Sequence, residues 1–172
     1  MAQIWSRLRR FVAHRWVDVR DAQRALPPSA LERLERRIAA SEQRHTGEVC
    51  ICVEAGLPTS YLLRDASPRE RAVAMFGKLR MWDTEHNNGV LVYLLLAEHA
   101  IELVADRGLN RHVDAQRWQA VVAQLGEALR QGQIEDGLTT ALEEVSAVLV
   151  AHFPQPSGVP RANSLPNHIE LR

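Results

Sequence analysis

The sequence predicts an α/β fold in which one βαβ unit is followed by an antiparallel hairpin and two C-terminal helices, and three features carry that reading. First, Val90-Leu91-Val92-Tyr93-Leu94-Leu95-Leu96 is an unbroken apolar run behind a turn signal, Asn87-Asn88-Gly89. It is too short to cross a bilayer and reads as a strand buried on both faces. Second, a short gap separates it from another run, Ile101 to Ala105, which makes a hairpin the natural connection. Third, an earlier strand and a strongly capped helix precede the central run, so the first two strands should be parallel with a right-handed crossover.

Taken in order, residues 4 to 19 place Ile4, Trp5, Leu8, Phe11, Val12, Trp16 and Val19 near helical spacing, with Arg7, Arg9, Arg10, Arg15 and Arg20 between them. This predicts a basic amphipathic helix within residues 1–26, with Asp18 and Asp21 blunting its basic face. Two readings of that helix stay open: a segment lying on anionic lipid, or a helix packed on its own domain or a partner. Trp5, Arg9, Arg10 and Trp16 are the candidate contact residues. The arginines and His14 interrupt every apolar run in residues 1–25, which therefore read as neither signal peptide nor membrane span.

A domain over residues 27–153 follows. Ser29-Ala30-Leu31-Glu32 has the form of a capping box and predicts a helix from Ala30 with Leu31, Leu34 and Ile38 inward. Glu48 to Ala55 is the first strand. Cys50 and Cys52 share one face of it, too far apart for an unstrained bridge, and read as reduced core thiols. Ser67-Pro68-Arg69-Glu70 combines an N-cap, a proline at the first helical position and a completing glutamate. The helix it opens should bury Ala72, Met75, Phe76, Leu79 and Trp82. Asp114 caps another helix, ending near Gly132, and a last one runs from about Glu135 to His152. Residues 154–172, rich in Pro, Ser and Asn, predict a disordered tail, with a short docking segment at its end as the alternative.

Composition narrows the function classes. The 172-residue chain has 21 basic and 21 acidic residues and formal net charge +0, so no global field draws it to nucleic acid. There is no phosphate loop, no nucleophile elbow and no aspartate pair of the DxD kind after a strand. His14, His45, His99, His152 and His168 stand apart without ligand spacing.

Gly47-Glu48-Val49, Asn87-Asn88-Gly89-Val90-Leu91 and the run Leu129 to Leu138, in this order of elements, resemble the TPM domain family over roughly Leu31 to Phe153. The resemblance implies a three-layer α/β/α sandwich with a small mixed sheet. It also implies Ca²⁺ binding and acid phosphatase activity, as reported for some members, and places the chain near a bacterial branch encoded beside LemA-type membrane proteins. The family usually has Asp-Asn-Gly where Asn87-Asn88-Gly89 stands, and Gly-Tyr-Gly where Asp106-Arg107-Gly108 stands.

Hairpin geometry adds a separate expectation. A turn centred between Glu98 and His99 sets Asp106 and Arg107 beside Leu91 and Val90, close to the loop Asp83 to Asn88. Asp83, Glu85 and Asp106 are thus candidate oxygen ligands for Ca²⁺ or Mg²⁺, His86 a candidate acid or base, and His112 and Asp114 possible neighbours. The competing reading is structural: Asp83 ends a helix, the asparagines form the turn, and Asp106 pairs with a surface cation. Two functions are expected. One is a non-catalytic accessory module at the cytoplasmic face of the inner membrane with a protein partner of LemA type; the other is a divalent-metal phosphatase-like hydrolase.

Overall fold

The computed structural model describes residues 2–156, 158 and 169–172. The side chain of Ile4, His168 and most of the proline-rich stretch lie outside the described residues. Among the described residues seven α-helices and four strands follow one another as α1 (Ala2–Trp16), α2 (Val19–Ala25), α3 (Pro28–Glu42), β1 (Val49–Glu54), α4 (Thr59–Leu63), α5 (Pro68–Lys78), β2 (Val90–Leu95), β3 (Ala100–Ala105), α6 (Ala115–Arg130), α7 (Ile134–His152) and β4 (Glu170–Leu171).

The sheet has the order β3-β2-β1-β4, with β1 parallel to β2 and β4, and β2 antiparallel to β3. All six residues of β2 are buried. Its alternate side chains enter two cores: Val90, Val92 and Leu94 meet α2, α3, α6 and α7, while Leu91, Tyr93 and Leu95 meet α4, α5 and Phe11 of α1. Period-2 alternation in a doubly buried strand thus builds an α/β/α sandwich.

Local chemistry sets most element ends. The Ser67–Glu70 capping box opens α5, and Asp114 Oδ1 caps α6 through the Arg117 amide. α3 departs from expectation. It starts at Pro28, one residue before Ser29, because a proline's fixed φ suits the first helical position, and Ser29 caps nothing. The N-terminal segment is two helices and not one. Asp18 accepts from the amides of Arg20 and Asp21 while Asp21 accepts from that of Asp18, so the acids taken as part of a charged face form a capping box that restarts the chain. α5 stops at Lys78, where the chain turns through Arg80 at φ 57°, and Trp82 is exposed beyond it instead of joining the core.

The hairpin register also differs from expectation. Val90 faces Ala105 and Leu91 faces Val104, two residues away from the anticipated pairing. A 3₁₀ turn at Leu96–Glu98 with His99 in the left-handed region at φ 49° makes the connection lopsided. Because side chains alternate with period 2, the shift leaves every residue on its intended face. The tail ends in order: β4 pairs Cys52 with Glu170 and Val53 with Leu171, and Ile169 enters the core.

Burial pushes the Cys50 thiol from its ordinary value near 9 up to about 12, and pushes Cys52 and Tyr93 higher as well. These groups ionise in the unfolded chain first, so the native state holds more protons above about pH 9. Stability should therefore be full below that pH and fall from about pH 9 toward pH 12, and urea midpoints measured across that window test the slope. Both thiols should react with a thiol-specific dye only after unfolding.

Candidate functional site

The carboxyl ends of β1 and β2, where open α/β sheets usually receive ligands, are occupied by the chain itself. α1 lies across them. Arg10 donates from Nε to Glu98 at 2.7 Å, from Nη1 to Asp65 at 2.7 Å and from Nη2 to the Ala66 carbonyl at 2.6 Å. Buried His14 has a defined tautomer: Nδ1 accepts the Leu57 amide at 2.9 Å, so Nε2 carries the proton given to Glu98 at 2.7 Å. One carboxylate thus ties two side chains of α1 to the turn after β2, and Arg10 is spent on the domain.

Just beneath, Glu54 at the end of β1 accepts a two-pronged contact from Arg71 at 2.6 and 2.8 Å and the Tyr93 hydroxyl at 2.6 Å. Tyr61 lies against the Arg71 guanidinium at 4.9 Å. The side chains of Glu54 and Arg71 are almost fully enclosed, and the carboxylate holds the Arg71 charge firmly in place.

The opposite end holds the acidic edge. Gly89 is required there, because a Cβ would collide with the Met81 carbonyl. Asp83 is exposed and pairs with Arg80; Glu85 is exposed. Asp106 stands opposite Gly89, its amide bonded to the Gly89 carbonyl at 2.9 Å and its Oδ1 accepting the Arg107 amide at 2.7 Å. Among the described residues no three His, Cys, Asp or Glu side chains gather into a group able to hold a metal ion. Two oxygens at this edge, Asn88 Oδ1 and Asp106 Oδ2, are nonetheless buried without a hydrogen-bond partner. The residues thus fit a hard cation in part, supplying oxygen donors but not converging carboxylates. His86 lines a separate cleft of about 410 Å³ with Arg111, His112 and His152, the last two stacked at 4.8 Å. Asp114 is engaged as the cap of α6.

A family model, the TPM domain, matches residues 19–148. The chain belongs to the TPM domain family. The fold agrees with solved structures. The BA42 protein from the psychrophilic bacterium Bizionia argentinensis is similar with TM-score 0.73 and 23% identity, covering 84% of this chain and 94% of that one. The N-terminal domain of a protein from P. gingivalis is similar with TM-score 0.60 and 19% identity, covering 76% and 82% respectively. No curated protein matches.

The TPM match begins after α1, so Trp5, Arg9, Arg10 and Trp16 all precede it. Arg10 faces the domain, whereas Trp5 and Trp16 are 69% and 83% exposed. Leu8 and Val12, also exposed, complete the row, and on a wheel of 3.6 residues per turn the four fall within an arc of about 80°. Arg9 and Arg15 border that arc on its two sides, exposed and without an ion pair among the described residues.

Neither the Arg10–Glu98–His14 cluster nor the Glu54–Arg71–Tyr93 cluster was visible in sequence, since the partners lie far apart along the chain. The latter gives a measurable expectation. Arg71→Met leaves Glu54 buried without its cation and should cost about 3 kcal/mol in urea unfolding. Breaking the exposed Arg33–Glu135 pair with Arg33→Met should leave the urea midpoint nearly unchanged.

Proposed function

We propose that this TPM domain is a non-catalytic accessory module held on an anionic membrane surface by the outward face of α1, where it meets a protein partner, of the LemA type that the family resemblance suggests. The observation that carries this is the exposed row Trp5, Leu8, Val12 and Trp16 with unpaired Arg9 and Arg15 on its flanks. Indole rings favour the headgroup boundary, aliphatic side chains reach just below it, and flanking guanidinium groups meet lipid phosphates. No helix among the described residues is long and apolar enough to cross a membrane, so contact through α1 is by lying on the surface. The Arg10 and His14 anchors face the other way and keep the row turned outward. This reading assigns the domain to the cytoplasmic face of the inner membrane, where anionic lipid is available.

The full chain should sediment with phosphatidylcholine vesicles containing phosphatidylglycerol and stay in solution with phosphatidylcholine alone. Removing two interfacial charges with Arg9→Gln and Arg15→Gln should weaken binding about 30-fold, at about 1 kcal/mol for each arginine. Trp5→Ala with Trp16→Ala should abolish it, and neither pair should lower the melting temperature. Equal binding to both vesicle types, or to neither, rejects the reading.

The two orphaned oxygens favour a second reading, a divalent-metal phosphatase-like hydrolase acting at the β2–β3 edge. It requires that millimolar Ca²⁺ or Mg²⁺ raise the melting temperature and that Asp106→Ala remove the rise. A melt indifferent to both ions leaves the edge as structure.

A further inference from the structure

We propose that the groove between β3 and α6 binds an extended segment of a partner protein by strand addition, a contact separate from the membrane face of α1. The sheet order leaves β3 at an edge. The Asp106 amide bonds to Gly89 on β2, and antiparallel alternation then turns Val104, Glu102 and Ala100 toward β2 and the backbone groups of Ile101, Leu103 and Ala105 outward. The Leu103 carbonyl bears this out, since it accepts Arg69 Nη1 at 2.6 Å from outside the sheet. The amides of Ile101, Leu103 and Ala105 have no partner among the described residues. Unpaired edge amides of this kind are the template for an added strand, which takes over the Leu103 carbonyl from Arg69 as it docks.

The edge opens onto a groove of about 780 Å³. The side chains of Ile101, Leu103 and Ala105, on the α6 side of the sheet, form its floor, and Trp118 and Val122 of α6 form its wall. Trp118 lines that wall, and its indole N–H is buried with no acceptor among the described residues. Polar groups rim the groove with a bias of sign. Glu102 is matched by Arg69 at 3.4 Å, whereas the Asp114 carboxylate holds only the Arg117 amide and pairs with no cation among the described residues. The occupant these features fit is an extended segment whose backbone pairs with β3, with an apolar side chain between Trp118 and Ile101, a carbonyl for the indole N–H, and a basic residue beside Asp114.

The test begins with a phage-displayed library of random dodecapeptides panned on the full chain, after which selected peptides are synthesised with a fluorescent label and titrated by anisotropy. Binders should alternate apolar with polar positions and carry a lysine or arginine. An added strand turns alternate amides toward β3, so N-methylation of one alternate set should abolish binding and methylation of the other should leave it within about twofold. Val122→Glu should weaken binding at least tenfold. Gln119→Trp, at an exposed position in the same wall, should do the same without disturbing the core, and Trp118→Phe should cost about fivefold by removing a single donor. Trp5→Ala with Trp16→Ala should leave the affinity unchanged, so this contact and the membrane contact stand or fall separately. A library yielding no binder sensitive to Gln119→Trp overturns the proposal, and so does equal tolerance of both methylation patterns.

Discussion

Everything else in this molecule is arranged to cover one strand. β2 carries apolar side chains on both faces, and six residues of that kind cannot leave either face in water without losing roughly 1.5–3 kcal/mol for each large side chain. The βαβ crossover places α5 on one face, and the C-terminal helix pair with α3 covers the other. With β1 and β3 on its two sides, β2 also has every backbone group paired within the sheet. The demand for burial is therefore met at the centre and relaxes outward, which leaves β3 and the short β4 as edges. The two edges differ: β4 is only two residues long and ends in the Arg172 contacts to Val53 and Ala55, whereas β3 is six residues long and faces an open groove.

The two ends of the sheet have different fates. At the carboxyl ends of β1 and β2 the carboxylates are consumed. Glu98 serves both Arg10 and His14, and Glu54 serves both Arg71 and Tyr93, so each carboxylate has the charge and the hydrogen bonds it needs. A carboxylate so occupied is a fastening. It explains how a helix with a polar inner face can be fixed across the mouth of an α/β fold, and why its apolar row points away from the protein. At the other end Asn88 and Asp106 keep oxygens without donors, and the backbone crowds so closely that Gly89 cannot carry a side chain.

What the sequence made legible was local. The Ser67–Glu70 box, the Asp114 cap and the two-faced run at Val90 are each signals within a few residues, and the folded chain honours all three. Asp18 and Asp21 misled because an acid on a helix face and an acid capping a new helix have the same sequence; only the extended backbone at Asp18 separates them. The hairpin register slipped by two because period-2 alternation is blind to an even shift, and the deciding residue, His99 in the left-handed region, is not a glycine or asparagine that would have advertised it. Of β4 only the alternative of a docking segment at the end of the tail was legible, since two residues after a proline-rich stretch carry no periodicity and their pairing with Cys52 and Val53 is wholly non-local. The same holds for Arg10 with Glu98, at a separation of 88 residues.

The outward row of α1 follows from that distant ion pair as much as from the helix's own pattern. An amphipathic helix has one apolar face and ordinarily buries it, yet here, among the described side chains, Phe11 reaches the core while Trp5, Leu8, Val12 and Trp16 are turned out. Rotating the helix by half a turn would bury the tryptophans but would strand Glu98 and expose the site of His14, forfeiting charged hydrogen bonds worth roughly 1.5–3 kcal/mol each. The folded chain keeps these charged hydrogen bonds and leaves the apolar row in water. An apolar phase offered on the outside removes the conflict, because α1 can then keep its ion pairs and take its tryptophans out of water together.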